Sequence, residues 1–338
     1  MTDRTTHLAQ FIAAAGWQNA ARTTVAGDAS NRRYDRLAMP AGNTAILMDA
    51  PPDKGEDVRP FVRIASFLRT QGLSAPEILA QDERHGFLLL EDLGDDLFAR
   101  VIPRDASLEV PLYEAATDVL IALHKATPPT LAPYDADTMT PLAALAFDWY
   151  QAGATGAVQA AEKTAFCTDF HAALAPLDAT PSVLIQRDYH AENLLWLPQR
   201  KGIARVGLLD FQDAMAGHPA YDLVSILQDA RRDVPAEVEA QMIANYIAAS
   251  PQDATAFARA YALLGLQRNL RILGVFARLC IRDGKAHYVD LIPRVWGHIQ
   301  TNLKHPDVAP LANLLAGLPA PDAETLNRIK SQCATPPS

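Results

Sequence analysis

The sequence is poor in most features that would assign it at once. It has three cysteines in 338 residues, Cys167, Cys280 and Cys333, too far apart for any CxxC pair. Neither a disulfide frame nor a zinc site is expected, and the reading is of reduced thiols in a cytoplasm. No run approaches the ~18 apolar residues that span a bilayer. The opening Met1-Thr2-Asp3-Arg4 leads into no apolar stretch of the kind that directs secretion. Positive charge is also in deficit: 30 Lys and Arg against 39 Asp and Glu leave a net charge of -9. That excludes a general nucleic-acid binder, which needs a basic face to displace counterions. A nucleotide is a different matter, because a local basic cluster can hold phosphates within an acidic protein.

What is present is a globular balance, 49% hydrophobic and 20% charged, enough apolar material to exclude wholesale disorder. The length suits two lobes of unequal size. Residues 5–16 read as an amphipathic helix stopped by Gly16. Strands follow around 22–26, 33–37 and 44–48, then a helix over 57–71 with Phe61, Ile64, Ala65 and Leu68 on one face. Two more strands, 77–82 and 86–91, complete an antiparallel β lobe that ends near residue 93. Beyond it, residues 94–338 turn helical and alanine-rich, with helices predicted over 111–126, 141–151, 158–177, 236–249, 253–281 and 287–303. One β interruption, 183–213, contains a hairpin turning at Pro198–Gly202. The tail from Ala316, rich in proline and polar residues, reads as loosely held.

The hairpin is flanked by the residues that carry chemistry. Before it stands Arg187-Asp188-Tyr189-His190-Ala191-Glu192-Asn193, and after it Leu209-Asp210-Phe211-Gln212-Asp213. An Asp, an Asn five residues on, a hairpin and then Asp-Phe is the order of a kinase catalytic loop and metal loop. Phosphoryl transfer asks a protein mainly to position groups and neutralise charge. Asp188 would face the attacking hydroxyl and accept its proton. Asn193 and Asp210 supply the few hard oxygen donors that magnesium takes from protein. Any one of these residues is equally at home in a turn; all three in order around a hairpin are not so easily explained.

The nucleotide end is less specific. Gly27–Tyr34 lies between two strands, where Ser30 and Asn31 would meet phosphates and Arg32 or Arg33 could reach them, although an ordinary turn describes the same residues. The run Leu88–Gly94 leaves the β lobe, and the backbone around Glu91 and Leu93 is where an adenine edge would bind. One departure is plain: the third strand reads Ala45-Ile46-Leu47-Met48-Asp49, with Met48 where a kinase carries a phosphate-gripping lysine. Spacing leaves Lys54, Arg32 and Arg33 as candidates to replace it, and the helix that would donate the partner glutamate offers only Glu56 or Asp57, near its start.

With these residues in view, the chain resembles the aminoglycoside phosphotransferase-like kinases over about residues 8–310. Within them it looks closest to the bacterial anomeric sugar kinases that act on N-acetylmuramate and N-acetylglucosamine in cell-wall recycling. Asp28-Ala29-Ser30, Arg32-Arg33-Tyr34, Met48-Asp49-Ala50-Pro51-Pro52, the Asp188 and Asp210 loops and Tyr221-Asp222 carry the resemblance. It implies an α+β, bilobal protein-kinase-like fold, with a small antiparallel β N-lobe (1–93) and a larger, mainly helical C-lobe (94–338). It further implies ATP and Mg2+, Asp188 as base, Asn193 and Asp210 as metal ligands, and a monomer acting on a small sugar without nucleic acid or membrane. The subgroup also has no lysine at the Met48 position, and Asp222 is expected to pin the catalytic loop.

For the acceptor, His190 either contacts substrate or braces the loop. Arg268 and Arg271 lie on a long helix and suit a carboxylate such as the N-acetylmuramate lactyl group, or else snorkel over apolar surface. Two alternatives stand beside this reading. One is a kinase of another small alcohol, of the aminoglycoside, choline or homoserine type. The other is a nucleotide-binding pseudokinase, which retention of Asp188, Asn193 and Asp210 opposes.

Overall fold

A computed structural model describes residues 4–25 and 31–334. The chain begins with α1 (Arg4–Ala14), then β1 (Ala21–Thr24), β2 (Arg33–Ala38) and β3 (Thr44–Asp49). Helix α2 (Arg59–Thr70) precedes β4 (Ile78–Asp82) and β5 (Phe87–Glu91), and α3 (Phe98–Arg104) and α4 (Glu109–Leu123) follow. Next come α5 (Ala136–Ala143), a π-helical turn (Ala146–Gln151), α6 (Ala152–Thr155) and α7 (Ala160–Leu174). Four short strands, β6 (Val183–Ile185), β7 (Leu194–Trp196), β8 (Val206–Leu208) and β9 (Met215–Gly217), lead into α8 (Ala220–Leu227). The chain closes with α9 (Ala236–Ala249), α10 (Ala254–Ile281), α11 (Ile292–Asn302) and α12 (Ala323–Ser331). The fold is α+β, as the sequence predicts.

The chain forms two compact units. One takes residues up to 122 together with 191–214; the other takes 123–190 and 215 onward. The boundary read at residue 93 thus falls inside the first unit. That unit is built on a five-stranded antiparallel sheet of order β1-β2-β3-β5-β4. Strand pleating sends alternate side chains to opposite faces. On one face Leu37, Ala45, Leu47, Phe87 and Leu89 pack against Leu8 and Phe11 of α1. On the other, Met48 and Leu88 face away from α1 and are also buried. The β4–β5 turn depends on Gly86: its φ is 72°, and a Cβ there would stand 1.9 Å from the Ala50 carbonyl oxygen. The β7–β8 hairpin belongs to this unit, in the register Leu194↔Leu208.

In the second unit, β6 and β9 form a separate two-stranded ribbon that sequence patterning did not separate from the hairpin. Helix α10 is almost wholly buried through its middle, and Asp253 caps its start by accepting the Ala256 N–H at 2.8 Å. Two expectations need correction. The helix read over 141–151 begins earlier, because Asp135 caps α5 by accepting the Thr138 N–H at 3.0 Å, and its later half is the π-helical turn. The tail is not loosely held: Leu318 and Ile329 are buried, and Gln332 donates to the Gly153 carbonyl at 2.7 Å. The three cysteines are free thiols. No helix among the described residues is long and apolar enough to cross a membrane.

Candidate active site

The chain passes from the helical unit to the sheet unit between His190 and Ala191, so the catalytic-loop motif contributes residues to both. In the helical unit, Asp188 follows Arg187, whose φ of 71° lies in the left-handed region. A non-glycine residue held there costs on the order of 1–3 kcal/mol and persists only where its surroundings fix it. Asp222, fully buried in the first turn of α8, does the fixing. Its carboxyl accepts the Gln186 N–H at 2.6 Å and the Arg187 N–H at 2.9 Å, while the Ser225 hydroxyl donates to the Arg187 carbonyl at 3.2 Å. Burial pushes the Asp222 carboxyl up to about 7, against the two N–H groups that favour its charged form.

Around Asp188 the unit collects cations and phenols. The Tyr134 and Tyr221 hydroxyls lie 3.0 Å apart. The Arg187 guanidinium sits 5.5 Å over the Tyr134 ring, and Arg271 reaches the Tyr221 hydroxyl at 3.4 Å. Burial works against the Arg271 charge, but Tyr221, Tyr134 and Asp188 hold its pKa above the ordinary value. Arg268, one turn earlier and 3% exposed, donates to the Gln228 carbonyl at 3.4 Å and feels Tyr221, Asp188 and Asp229. His190 is buried, which pushes its pKa down to about 4 and leaves a neutral imidazole at neutral pH.

In the sheet unit, the β7–β8 hairpin sets Asn193 beside Asp210. The Leu209 N–H extends the ladder to the Asn193 carbonyl at 3.0 Å, and the Asn193 amide lies 3.4 Å from the Asp210 carboxylate. Asp210 is exposed and has a left-handed φ of 56°. Gln212 holds one of its oxygens at 2.6 Å. Behind it, the Phe211 ring packs 4.9 Å from Phe61 of α2. A carboxamide and a carboxylate on a rigid hairpin fit magnesium, which takes few protein ligands and keeps water and phosphate oxygens as the rest. Among the described residues no cluster of three or more His, Cys, Asp or Glu side chains offers a cage for a resident metal.

The nucleotide-end residues are also in this unit. Ser30 lies outside the described residues. The Asn31 N–H donates to Glu56 at 3.0 Å, its amide reaches the Lys54 carbonyl at 3.2 Å, and Arg32 Nε meets Glu56 at 2.8 Å. The Glu91 side chain pairs with Arg200, and its N–H donates to the Glu77 carbonyl at 2.8 Å. Leu93 packs where a Cβ on Gly207 would stand 3.2 Å from it. Sequence reasoning missed Tyr134 and gave no role to Gln212, although Gln212 stands two residues after Asp210. Glu56 is one of the two candidate acids that the sequence offers, and the structure pairs it with Arg32.

Comparison with known proteins adds the following. Residues 22–261 match the model of the phosphotransferase enzyme family. A curated N-acetylmuramate/N-acetylglucosamine kinase from Caulobacter vibrioides is 40% identical, over 92% of this chain and 95% of the relative. Its namesake from Pseudomonas aeruginosa is 36% identical, over 92% and 94%. Among solved structures, a microcompartment-associated aminopropanol kinase aligns with a TM-score of 0.62 at 17% identity, covering 94% of this chain and 99% of its own. An aminoglycoside-3'-phosphotransferase of type VIII aligns at 0.54 and 16%, covering 79% and 99%. These structural likenesses speak to the fold.

Proposed function

The chain belongs to the phosphotransferase enzyme family, and on that premise we propose that it moves the γ-phosphoryl group of ATP to the anomeric hydroxyl of an amino sugar, N-acetylmuramate or N-acetylglucosamine. The product would be the 1-phosphate, and the role cell-wall recycling. The observation that carries the reading is the Asp188 turn, clamped by Asp222 through two backbone N–H bonds and set among Arg271, Tyr134 and Tyr221.

Asp188 is the general base. It accepts the proton of the acceptor hydroxyl as that oxygen attacks the γ-phosphorus and the bond to the ADP oxygen breaks. Asn193 and Asp210 hold Mg2+, which when bound screens charge on the phosphate oxygens. Asn31, Arg32 and Ser30 serve the phosphates, and the Glu91–Leu93 backbone serves the adenine. Arg271, half-buried and kept cationic, reads the acceptor, with a carboxylate its natural partner. His190 contacts the sugar as a neutral imidazole. Arg268 is too buried to lead; it steadies the charge around Asp188.

A polycationic acceptor such as an aminoglycoside fits less well. The acidic run after β5 is already neutralised: Arg36 pairs with Asp92 at 2.7 Å and Asp95 at 2.9 Å, and Glu91 pairs with Arg200. The test is a coupled ADP-release screen of sugars, aminoglycosides, choline and homoserine. Turnover is expected on N-acetylmuramate or N-acetylglucosamine and on neither 1-O-methyl derivative. Equal use of a 1-O-methyl sugar would move the transfer elsewhere on the ring, and silence on every free anomeric sugar would sink the reading.

A further inference from the structure

The sequence leaves open which cation does the work of the lysine that Met48 replaces, and the sheet register narrows the choice. Residues paired directly across antiparallel strands share a face. Tyr34 pairs with Met48, whereas Arg33 pairs with Asp49. Arg33 therefore lies on the α1 face, and there it meets Asp35 at 3.2 Å and the Thr24 hydroxyl at 3.1 Å. Arg32 stands two residues before Tyr34, just outside β2, where continued alternation puts it on the side of Met48. Lys54 is exposed, and its contribution is a backbone carbonyl that receives Asn31.

Arg32 is also the one of the three whose side chain is held by a partly buried acid on that side. Its Nε meets Glu56 Oε2 at 2.8 Å, with the two side chains only 14% and 11% exposed. The other oxygen of Glu56 accepts the Asn31 N–H at 3.0 Å. One carboxylate thus fixes both the guanidinium and the backbone where the chain re-enters β2. An ion pair of this kind orients a cation more than it stabilises the fold, since desolvation offsets much of its attraction. The Tyr34 side chain holds Arg32 as well, and a guanidinium, with five donors in a planar fork, serves a phosphate alongside more than one partner.

We propose that Arg32, oriented by Glu56, replaces the third-strand lysine and its helix glutamate as the ion pair that grips the nucleotide phosphates. This rests on the kinase reading above. Arg32 is then a phosphate-binding residue contributed from the mouth of β2, and Glu56, touching no substrate, is a positioning residue. The pair is displaced by a strand, yet keeps the same chemistry of one cation held by one acid.

The experiment separates this assignment from the kinase reading. Binding of Mg·ADP and of adenosine is measured by calorimetry for the wild type and for Arg32→Met, Arg32→Lys, Glu56→Gln, Arg33→Met and Lys54→Met, with circular dichroism to verify folding. Arg32→Met is expected to weaken ADP roughly 10- to 100-fold, the size of a lost charge-assisted contact, and to leave adenosine unchanged. Arg32→Lys should recover part of the loss. Glu56→Gln should raise KM for ATP several-fold with a smaller change in kcat, a split that a merely structural residue would not give. Equal ADP affinity in wild type and Arg32→Met would overturn the assignment while leaving the kinase intact. So would a larger loss in Arg33→Met or Lys54→Met. If Arg32→Met does not fold, wild-type ADP affinity in Arg32→Lys overturns the fork geometry in its place. Failure of the wild type to bind ADP at all would sink both readings.

Discussion

The two units manage polar groups in opposite ways. The sheet unit pairs its charges at the rim: Arg4 with Asp49, Arg22 with Asp35, Arg36 with Asp92 and Asp95, Arg69 with Glu77. Most of these pairs have at least one partner in reach of water. The helical unit buries more of its polar side chains and pairs several of them with one another. Asp222 is spent on two backbone N–H groups. The Gln228 side-chain oxygen accepts from Asn269 at 2.8 Å and from Asn302 at 2.9 Å. Burial drives His124 to about 3, and His190 and His218 to about 4, so all three are neutral at neutral pH. Water can replace a lost partner in the first arrangement and cannot in the second. Substitutions in the helical unit should therefore cost more stability, and the sheet unit should show its importance chiefly in catalysis.

The largest expected effect is on rate. Asp188→Ala should lower kcat by roughly 10²- to 10⁴-fold, the usual share of a general base, with the circular dichroism spectrum unchanged. Asp210→Ala should do the same in the sheet unit without loss of stability; a large fall in Tm there would break the contrast between the units.

Next comes Asp222→Ala, which strips the acceptor from the Gln186 and Arg187 N–H groups. A buried donor left unsatisfied costs on the order of 1–3 kcal/mol, and the left-handed Arg187 loses its clamp. Chemical denaturation should register roughly 2–4 kcal/mol, with kcat falling as Asp188 loses its placement. Wild-type stability in this variant would mean that the clamp holds nothing. Asp222→Asn sharpens the point through pH. The folded carboxyl sits near about 7 against an ordinary 3.8, so between these values the folded chain keeps a proton that the unfolded chain releases. Stability from this group is full below the lower value and is lost as pH rises through the upper one. The buried histidines run the other way, losing their contribution as pH falls below the ordinary 6.5. Comparing variant with wild type cancels them: the wild-type advantage should narrow from pH 4 to pH 7. A gap that widens would make the ionised carboxylate the native form.

Local signals made much of this legible. The strands, the hairpin and the order Asp188, Asn193, Asp210 are written in turns and alternation within a few residues of each other. The helices over 236–249 and 253–281 follow from composition. What stayed hidden depends on distance along the chain. Tyr134 meets Tyr221 across 87 residues, and no periodicity encodes the meeting; the clamp of Asp222 on Arg187, across 35 residues, is anticipated by the family resemblance alone. Glu56 is a candidate for the missing lysine's partner acid, but its pairing with Arg32 depends on contacts between the 31–32 and 54–56 segments that spacing does not show. The tail misled for another reason: its prolines suggest a loose end, but Leu318 and Ile329 are buried and dock it.

The smaller effects test the contrast most directly, because they compare modest substitutions of similar size. In the helical unit, a Cβ on Gly265 of α10 would stand 2.5 Å from the Asn302 side-chain oxygen, so Gly265→Ala must displace an amide that Gln228 also holds. Overpacking of this kind costs roughly 1–3 kcal/mol, and the gain in helix propensity from alanine, about 1 kcal/mol, offsets only part of it. In the sheet unit, Arg69 meets Glu77 at 3.1 Å and Glu91 at 3.7 Å, with 37% of its side chain exposed. Arg69→Ala removes more atoms and two ion pairs, yet screening should hold the loss to about 1 kcal/mol or less, shrinking further in high salt. Urea denaturation of the two variants at low and high salt decides between them. Gly265→Ala should lose more and be indifferent to salt; a larger, salt-insensitive loss in Arg69→Ala would show that the rim pairs of the sheet unit are as structural as the buried amides of the helical one.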